Sequence, residues 1–224
     1  MVDPRVYTEY YRSVKACSQA AQRDFMKIWT LLDFNDLEFS KMMLLDLLPG
    51  MVDKYGSAAA EAAAEMYEAV CLAELGKYVE AELSRADQRK VRNAVYYASS
   101  LMAKGEHQKA FATLRKALDY HVKNPARKTV EKNARRDGAR WARVPQGAET
   151  CEFCTMLASR GFVYYSEETA GGDHGYHTDC DCLPVPSFKA ETVVPDYDPE
   201  YYFQLYQQME DKDKWNRARM RKSH

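Results

Sequence analysis

The chain has 224 residues, a formal net charge of −1 and a hydrophobic fraction of 46%. This length allows one large domain or two small ones, and the composition is typical of a globular protein without a global affinity for nucleic acid. The sequence shows no apolar run of the roughly 18 residues that a membrane span needs, and its start lacks the features of a signal peptide. We therefore expect a protein made in a reducing cytoplasm without a membrane partner, where clustered cysteines favour a metal site over disulfides.

The first predicted helix begins at Asp3, which is a suitable N-cap, with Pro4 at the first helical position. Apolar residues then recur with a seven-residue period in two rows. The first row is Tyr7, Val14, Ala21 and Ile28, and the second is Tyr11, Phe25 and Leu32. This spacing predicts a long amphipathic helix with a coiled-coil-like face.

Two further helices are predicted before residue 76. Asn35 followed by Glu38 predicts a new N-terminus, and Pro49 with Gly50 predicts the end of that helix or a kink in it. The alanine-rich residues 57–75 strongly favour a separate helix.

A hairpin of helices is predicted in the next part of the chain, with residues 88–104 and 106–122 on either side of Gly105. Pro125 predicts a boundary after this hairpin, because proline disfavours the interior of a helix. A basic helix is then expected over about residues 126–140.

The helical pattern stops after Trp141, where proline and glycine become frequent. Residues 162–165 and 182–185 predict two short strands, and residues 201–209 predict a C-terminal helix. The segment between cannot bury much apolar surface alone, so it needs a metal or a larger body to pack on. The expected fold class is mainly α. We expect an elongated bundle of about six helices over residues 1–140, followed over residues 141–190 by a small irregular α+β module that has one or two short strands and is held together by zinc. A C-terminal helix and a basic tail are expected over residues 191–224.

Four cysteines and one histidine form the pattern Cys151-x2-Cys154, a gap of 22 residues, and His177-x2-Cys180-x-Cys182. Zinc prefers four tetrahedral sulfur and nitrogen ligands, and a C-x-x-C turn supplies two thiolates from one tight loop. The second pair closes the intervening loop around the ion, which links metal binding to folding. The pattern therefore predicts a structural Zn2+ site, with free thiols and a redox pair as less favoured alternatives.

The pattern offers five candidate ligands for four positions. In an extended segment Cys180 and Cys182 lie on one face, so both can reach the ion while His177 lies outside the shell. Alternatively, His177 and Cys180 bind the ion and Cys182 packs behind them; we favour His177 as a ligand. Arg143 and Arg160 are nearby cations that can offset the negative charge of the thiolates.

The sequence favours a structural site over a catalytic one. It contains neither the H-x-E and P-C-x-x-C pattern of zinc deaminases nor the H-E-x-x-H pattern of metalloproteases. Protein side chains suffice to fill all four positions, which leaves none for a reactive water. We therefore predict that the chain is not an enzyme and has no small-molecule substrate. His174 lies in a glycine-rich loop, where a solvated histidine is the favoured interpretation over a ligand.

A basic segment at residues 123–143 precedes the cysteines, and an acidic segment at residues 167–200 follows them. One interpretation of the basic segment is sequence-independent contact with DNA phosphates through Lys128, Lys132, Arg135 and Arg136. The interpretation that we favour is that the basic segment packs against the acidic residues of segment 167–200.

Three stretches of the sequence resemble minor head proteins of tailed phages that infect actinobacteria, of the MuF-like group. They are RWARVPQG at residues 140–147, TCEFCTMLASRG at residues 150–161 and YHTDCDC at residues 176–182. Residues 55–60, running on to Tyr67, are similar to the helical half of these proteins, although Met66 stands where the family has a tryptophan. The resemblance covers roughly residues 50–190.

The resemblance implies a virion protein, present in few copies, that acts in head assembly near the portal and carries no catalytic residues. Its expected location is the capsid, after assembly in the host cytoplasm. Its expected partners are the portal or the major capsid protein, together with packaged DNA at the basic helix. Two alternatives are a metal-dependent nuclease that uses Asp173, His174, His177 and Asp179, and a DNA-binding adaptor that uses the basic helix.

Overall fold

The protein folds into six helices and two short strands within the part of the chain that the structure describes. This part, in a computed structural model, comprises residues 1–147, 150–166, 169–170, 176–178, 180–189 and 192–209. The helices are α1 (Pro4–Thr30), α2 (Leu37–Leu75), α3 (Gln88–Met102), α4 (His107–Asp137), α5 (Glu152–Ala158) and α6 (Pro199–Gln208). The strands are β1 (Arg140–Val144) and β2 (Leu183–Ser187). The expected fold class, a mainly α protein with a small α+β module, is confirmed.

Helix α1 begins as predicted. The carboxylate of Asp3 accepts the backbone N–H of Arg5 at 2.9 Å, and Pro4 is the first helical residue. The buried face consists of Tyr7, Tyr10, Val14, Ser18, Ala21 and Phe25. The predicted apolar rows therefore describe most of this face, whereas Tyr11 and Ile28 are only partly buried.

The predicted end of a helix at Pro49 and the predicted boundary at Pro125 are both wrong. Helix α2 continues through Pro49 to Leu75, and helix α4 continues through Pro125 to Asp137. An interior proline costs a helix about 3 kcal/mol, because it removes a hydrogen bond and its ring contacts the preceding turn. Both prolines are buried on the packed faces of their helices, and this packing outweighs the local cost. The N-cap of α2 is also Asp36 rather than Asn35.

Helix α2 lies at the centre of the bundle and contacts α1, α3 and α4. Helices α3 and α4 form the predicted hairpin, and Gly105 makes the turn between them with a φ of 75°, which favours glycine. Helices α2 and α4 approach closely at Gly56, where an added Cβ would lie 3.1 Å from Cγ of Pro125. The lack of a side chain at Gly56 therefore permits this close contact.

The two strands form an antiparallel pair that runs from Arg140 opposite Ser187 to Val144 opposite Leu183. Strand β2 overlaps the second predicted strand, whereas β1 is not predicted by the sequence. The other predicted strand, residues 162–165, contributes one bridge, in which Tyr164 exchanges backbone hydrogen bonds with Trp141 at 2.9 and 3.2 Å.

The hydrophobic core continues from the helices into the segment that contains the strands. One cluster of buried residues includes Val14 of α1, Val130 of α4, Val185 of β2 and Tyr197. The segment after Trp141 thus packs on the helical body. The division of the chain at residues 140 and 190 stays a prediction. Among the described helices, none combines the length and the apolar character that crossing a membrane would require.

Candidate metal centre

The first pair of predicted ligands lies at the start of α5. Cys151 is the N-cap of this helix, and its Sγ accepts the backbone N–H of Cys154 at 3.4 Å. The carbonyl of Cys151 accepts the N–H of Thr155, which closes the first helical turn. This turn brings both sulfurs to the same end of α5, so the C-x-x-C spacing acts here as the sequence predicts.

The second set of predicted ligands comes from the segment that leads into β2. The N–H of Cys180 donates to the carbonyl of His177 at 3.0 Å, which makes a tight turn of the H-x-x-C sequence. Cys182 is followed directly by Leu183, the first residue of β2. The pairing of β2 with β1 therefore fixes where this second set lies.

The five predicted ligand side chains come together. The Sγ atom of Cys151 lies 3.0 Å from Nε2 of His177, and the Sγ atom of Cys154 lies 3.8 Å from the same nitrogen. The Sγ atoms of Cys154 and Cys180 are 3.4 Å apart. A tetrahedral zinc shell, with bonds of about 2.3 Å to sulfur and about 2.0 Å to nitrogen, has edges of about 3.5–3.8 Å. The separations are therefore close to those of a metal shell.

The ligand atoms form two overlapping groups that share Cys154. Cys151, Cys154 and His177 make the first group, and Cys154, Cys180 and Cys182 make the second; within each group all ligand atoms lie within 4.8 Å of one another. The second group is buried, whereas Cys151 is exposed and His177 is half-buried. These side chains can hold a metal ion, and Cys180 and Cys182 both remain candidates for the position beside the first group.

Two buried arginines lie against the cysteines. The guanidinium of Arg143 donates to the Sγ atom of Cys180 at 3.5 Å and lies 3.8 Å from that of Cys154. Arg127 of α4 donates to the carbonyl of Cys182 at 3.1 Å and also to the carbonyl of Cys180. Both side chains are 0% exposed. Arg143 is one of the predicted compensating cations, and Arg127 is the second cation at the cluster.

Tyr176 lies between these two arginines. Its ring centroid is 4.2 Å from the guanidinium carbon of Arg127 and 3.8 Å from that of Arg143. Its hydroxyl donates to Glu131 at 2.8 Å. The stack connects α4, β1 and the ligand segment, so the residues around the cluster are held by cation–π contacts and by hydrogen bonds.

One family pattern extends over most of this chain, because the pattern of the VG15 protein family matches residues 1–209. The chain belongs to the VG15 protein family. The "Gene 15 protein" of Mycobacterium phage D29 is 35% identical over an alignment of 79 residues, which covers 23% of this chain and 29% of that relative. The chain thus aligns with less than a third of the relative's length. Together these matches indicate a phage protein. No solved structure matches the chain.

Hydrogen bonding within the cluster of this VG15 protein favours thiolates at two cysteines. The thiol and the N–H of Cys154, with the imidazole of His177, lower the pKa of Cys151 to about 5 against the effect of burial. The thiols of Cys154 and Cys182, assisted by the nearby arginines, lower the pKa of Cys180. Because Cys154 donates to both neighbours, its own pKa is raised. The thiolate is the form that binds a metal, so a divalent cation would replace the protons that these sulfurs share.

The predicted DNA contacts of this VG15 protein lie on the exposed side of α4. Lys132 pairs with Glu82 at 2.5 Å, and Arg136 pairs with Glu82 at 3.4 Å and with Asp137 at 2.7 Å. Lys128, Lys132 and Arg135 also line a small pocket of 190 Å³. The favoured interpretation, packing against the acidic segment 167–200, holds for Lys123, which pairs with Asp181 at 2.5 Å. Lys132 and Arg136 find their acidic partners elsewhere.

Three of the predicted nuclease residues, Asp173, His174 and Asp179, lie outside the described residues, as does the basic tail. The fourth, His177, belongs to the cysteine cluster. Sequence reasoning missed the roles of Arg127 and Tyr176. Arg127 stands among basic residues that look alike in the sequence, and only the burial of α4 on that side separates it from Lys128.

Proposed function

We propose that this VG15 protein is a minor head protein of a phage virion that acts in head assembly near the portal. The support comes from the phage relative and from the resemblance of residues 140–161 and 176–182 to MuF-like minor head proteins. In this proposal the helical body docks on the portal or the major capsid protein. The segment with the cysteines supplies a second rigid surface.

The observation that carries the proposal is that five candidate ligand side chains form two overlapping groups that share Cys154, beside two buried arginines. Four donors saturate a zinc ion, so this set leaves no coordination position for a reactive water. The site therefore fits a structural Zn2+ that fastens α5 to the segment before β2. A protein of this kind has a mechanical role and no catalytic residues.

The electrostatic balance of the site supports the same assignment. Three thiolates, one imidazole and a zinc ion carry a charge of about −1, and a four-thiolate shell carries about −2. Arg127 and Arg143 supply two positive charges in contact with the ligand residues. A buried anionic metal site needs such partners, because an uncompensated buried charge is costly.

The experiment that tests the proposal has two parts, performed on the phage that encodes the chain. Mass spectrometry of purified virions should detect the chain, and metal analysis of the isolated protein should give about one zinc per chain. Virions that lack the chain, while the infected lysate contains it, would contradict the location. A protein that is fully folded without metal would contradict the structural zinc.

The alternative functions, a DNA-binding adaptor and a metal-dependent nuclease, differ from this proposal in what they require. An adaptor that uses α4 would depend on Arg135, which is exposed, more than on Arg136, whose guanidinium is paired. Retention on DNA that disappears between low and moderate salt, and in Arg135→Ala, would favour the adaptor. Cleavage of plasmid DNA in the presence of Mg2+ would favour the nuclease.

A further inference from the structure

We propose that a groove between α1 and α4 binds the phosphate backbone of a nucleic acid. The groove has a volume of 940 Å³ and is walled by α1 on one side and by α4 on the other. Gly147, Thr178 and Asp181 also line it. This surface differs from the face of α4 that carries Lys128 and Arg135, and the inference does not rest on the function proposed above.

The described lining of the groove is strongly cationic. Its six cations are Arg12, Lys15 and Arg23 of α1 and Arg115, Lys116 and Lys123 of α4. Its two carboxylates are Asp119 and Asp181. The net charge of +4 contrasts with the value of −1 for the whole chain, so the positive charge is concentrated here.

The two carboxylates are already occupied. Both accept hydrogen bonds from the ammonium of Lys123, at 2.8 and 2.5 Å, and Asp119 also accepts the hydroxyl of Ser18. Lys123 is 9% exposed, and its single positive charge offsets one of the two negative charges. The remaining negative charge stands against the five other cations of the described lining, which leaves the net charge of +4.

Four of the cations are available for a ligand. Among the residues that the structure describes, Arg12, Lys15, Arg23 and Arg115 have no carboxylate within ion-pair distance, and all four are exposed. Helix α1 presents three of them along one stripe, with the neutral donor Gln19 between them. Cations held on both walls of a groove attract a polyanion more strongly than the same charges spread over the surface.

The row of cations on α1 is long enough to lie alongside several phosphates of a nucleic acid strand. The stripe from Arg12 to Arg23 spans about 16 Å along α1, at about 1.5 Å per residue. One strand of a nucleic acid carries a phosphate about every 3.4 Å along the axis, so about five phosphates lie alongside this stripe. The lining also includes Tyr11 and Met26, and an extended acidic peptide places its residues at a similar interval, so the test includes polyglutamate as a competitor.

The test measures binding of the full chain to a labelled random-sequence duplex of about 20 base pairs, and to the matching single strand, over a range of salt. With four available cations, we expect log K to fall with log salt with a slope of about −3 to −4. The triple variant Arg12→Ala, Lys15→Ala and Arg23→Ala should bind at least about tenfold more weakly at low salt and show a slope of about −1.

A matched control removes the same number of exposed cations elsewhere, at Arg85, Arg89 and Lys104, and should bind as the unchanged protein does. The single variant Arg115→Ala tests the opposite wall and should lower the slope by about one. Equal losses in the control and in the α1 variant would overturn the proposal. So would the absence of binding at low salt, or displacement of the oligonucleotide by polyglutamate at an equal or lower concentration.

Discussion

Replacing Arg127 with methionine tests whether the buried arginine organises the metal-binding segment. Methionine keeps most of the volume and the helix propensity of α4, so the change removes chiefly the guanidinium. The carbonyls of Cys180 and Cys182 lose their donor, and Tyr176 loses one of the two cations on its ring. The variant therefore acts on the ligand segment and leaves the rest of the bundle in place.

The expected loss follows from these contacts. Each buried carbonyl left without a donor costs about 1–3 kcal/mol, and the cation–π contact contributes about 0.5–2 kcal/mol. Removal of a buried charge recovers part of this, because the guanidinium no longer has to be desolvated. We expect a net loss of about 3 kcal/mol in the free energy of unfolding. For a chain of this length, that lowers Tm by about 6–12 °C.

The assay is urea unfolding of the metal-loaded protein, with metal content measured in parallel. Arg135→Met is the matched control, because Arg135 is exposed on the same helix; it should change the free energy of unfolding by less than about 0.5 kcal/mol. Arg127→Met should also release its metal at a lower chelator concentration. If the two variants unfold at the same urea concentration and hold metal equally, Arg127 does not organise the site.

Three further changes test other features. Cys154→Ser removes the ligand that both groups share, so metal analysis should find bound zinc at background level. Cys17 is a half-buried cysteine of α1 outside the cluster, so Cys17→Ser should keep its zinc. Burial lowers the pKa of His121 to about 4, so the unfolded chain takes up this proton first as pH falls below about 6.5. The free energy of unfolding therefore falls as pH is lowered to about 4. Urea unfolding at pH 7 and pH 5 should show a decrease that is smaller by about 2 kcal/mol in His121→Gln than in the unchanged protein. An unchanged pH dependence would contradict this. Gly56→Val should destabilise the protein by about 1–3 kcal/mol through overpacking against Pro125. Gly50→Ala is the control, because Gly50 has open space around it in the same helix, and it should stabilise the protein by about 0.5–1 kcal/mol. If thermal unfolding shifts Tm of both variants in the same direction, the close helix contact is refuted.

The sequence predicts those features of the fold that depend on neighbouring residues. The cap at Asp3, the turn at Gly105 and the final helix each follow from local preferences that nothing in the tertiary structure opposes. The two interior prolines show the limit of this approach. Helix breaking at Pro49 and Pro125 is a local tendency, and burial against other helices overrides it.

The candidate site divides in the same way. The ligands are recognisable because their spacing carries the chemistry, whereas the residues that support them come from distant positions. Strand β1 pairs with a partner about forty residues later in the chain, which no local pattern reveals. Arg127 and Tyr176 contact each other across a similar separation. Such contacts depend on how the elements pack in three dimensions. Neither strand β1 nor the contact of Tyr176 with the two arginines can therefore be predicted from composition or from hydrophobic periodicity.

The order of the elements along the chain has a consequence for biosynthesis. All five ligand residues leave the ribosome after the four long helices, and Arg127 is synthesised before any of them. Domains generally fold from the N-terminal end during translation. The bundle can therefore form the surface on which the ligand segment packs before that segment has been synthesised. If the cluster binds zinc as we propose, metal capture is then a late step in folding. Under that proposal, a cell starved of zinc would accumulate chains with intact helices α1–α4 and an open ligand segment, which proteases can cleave.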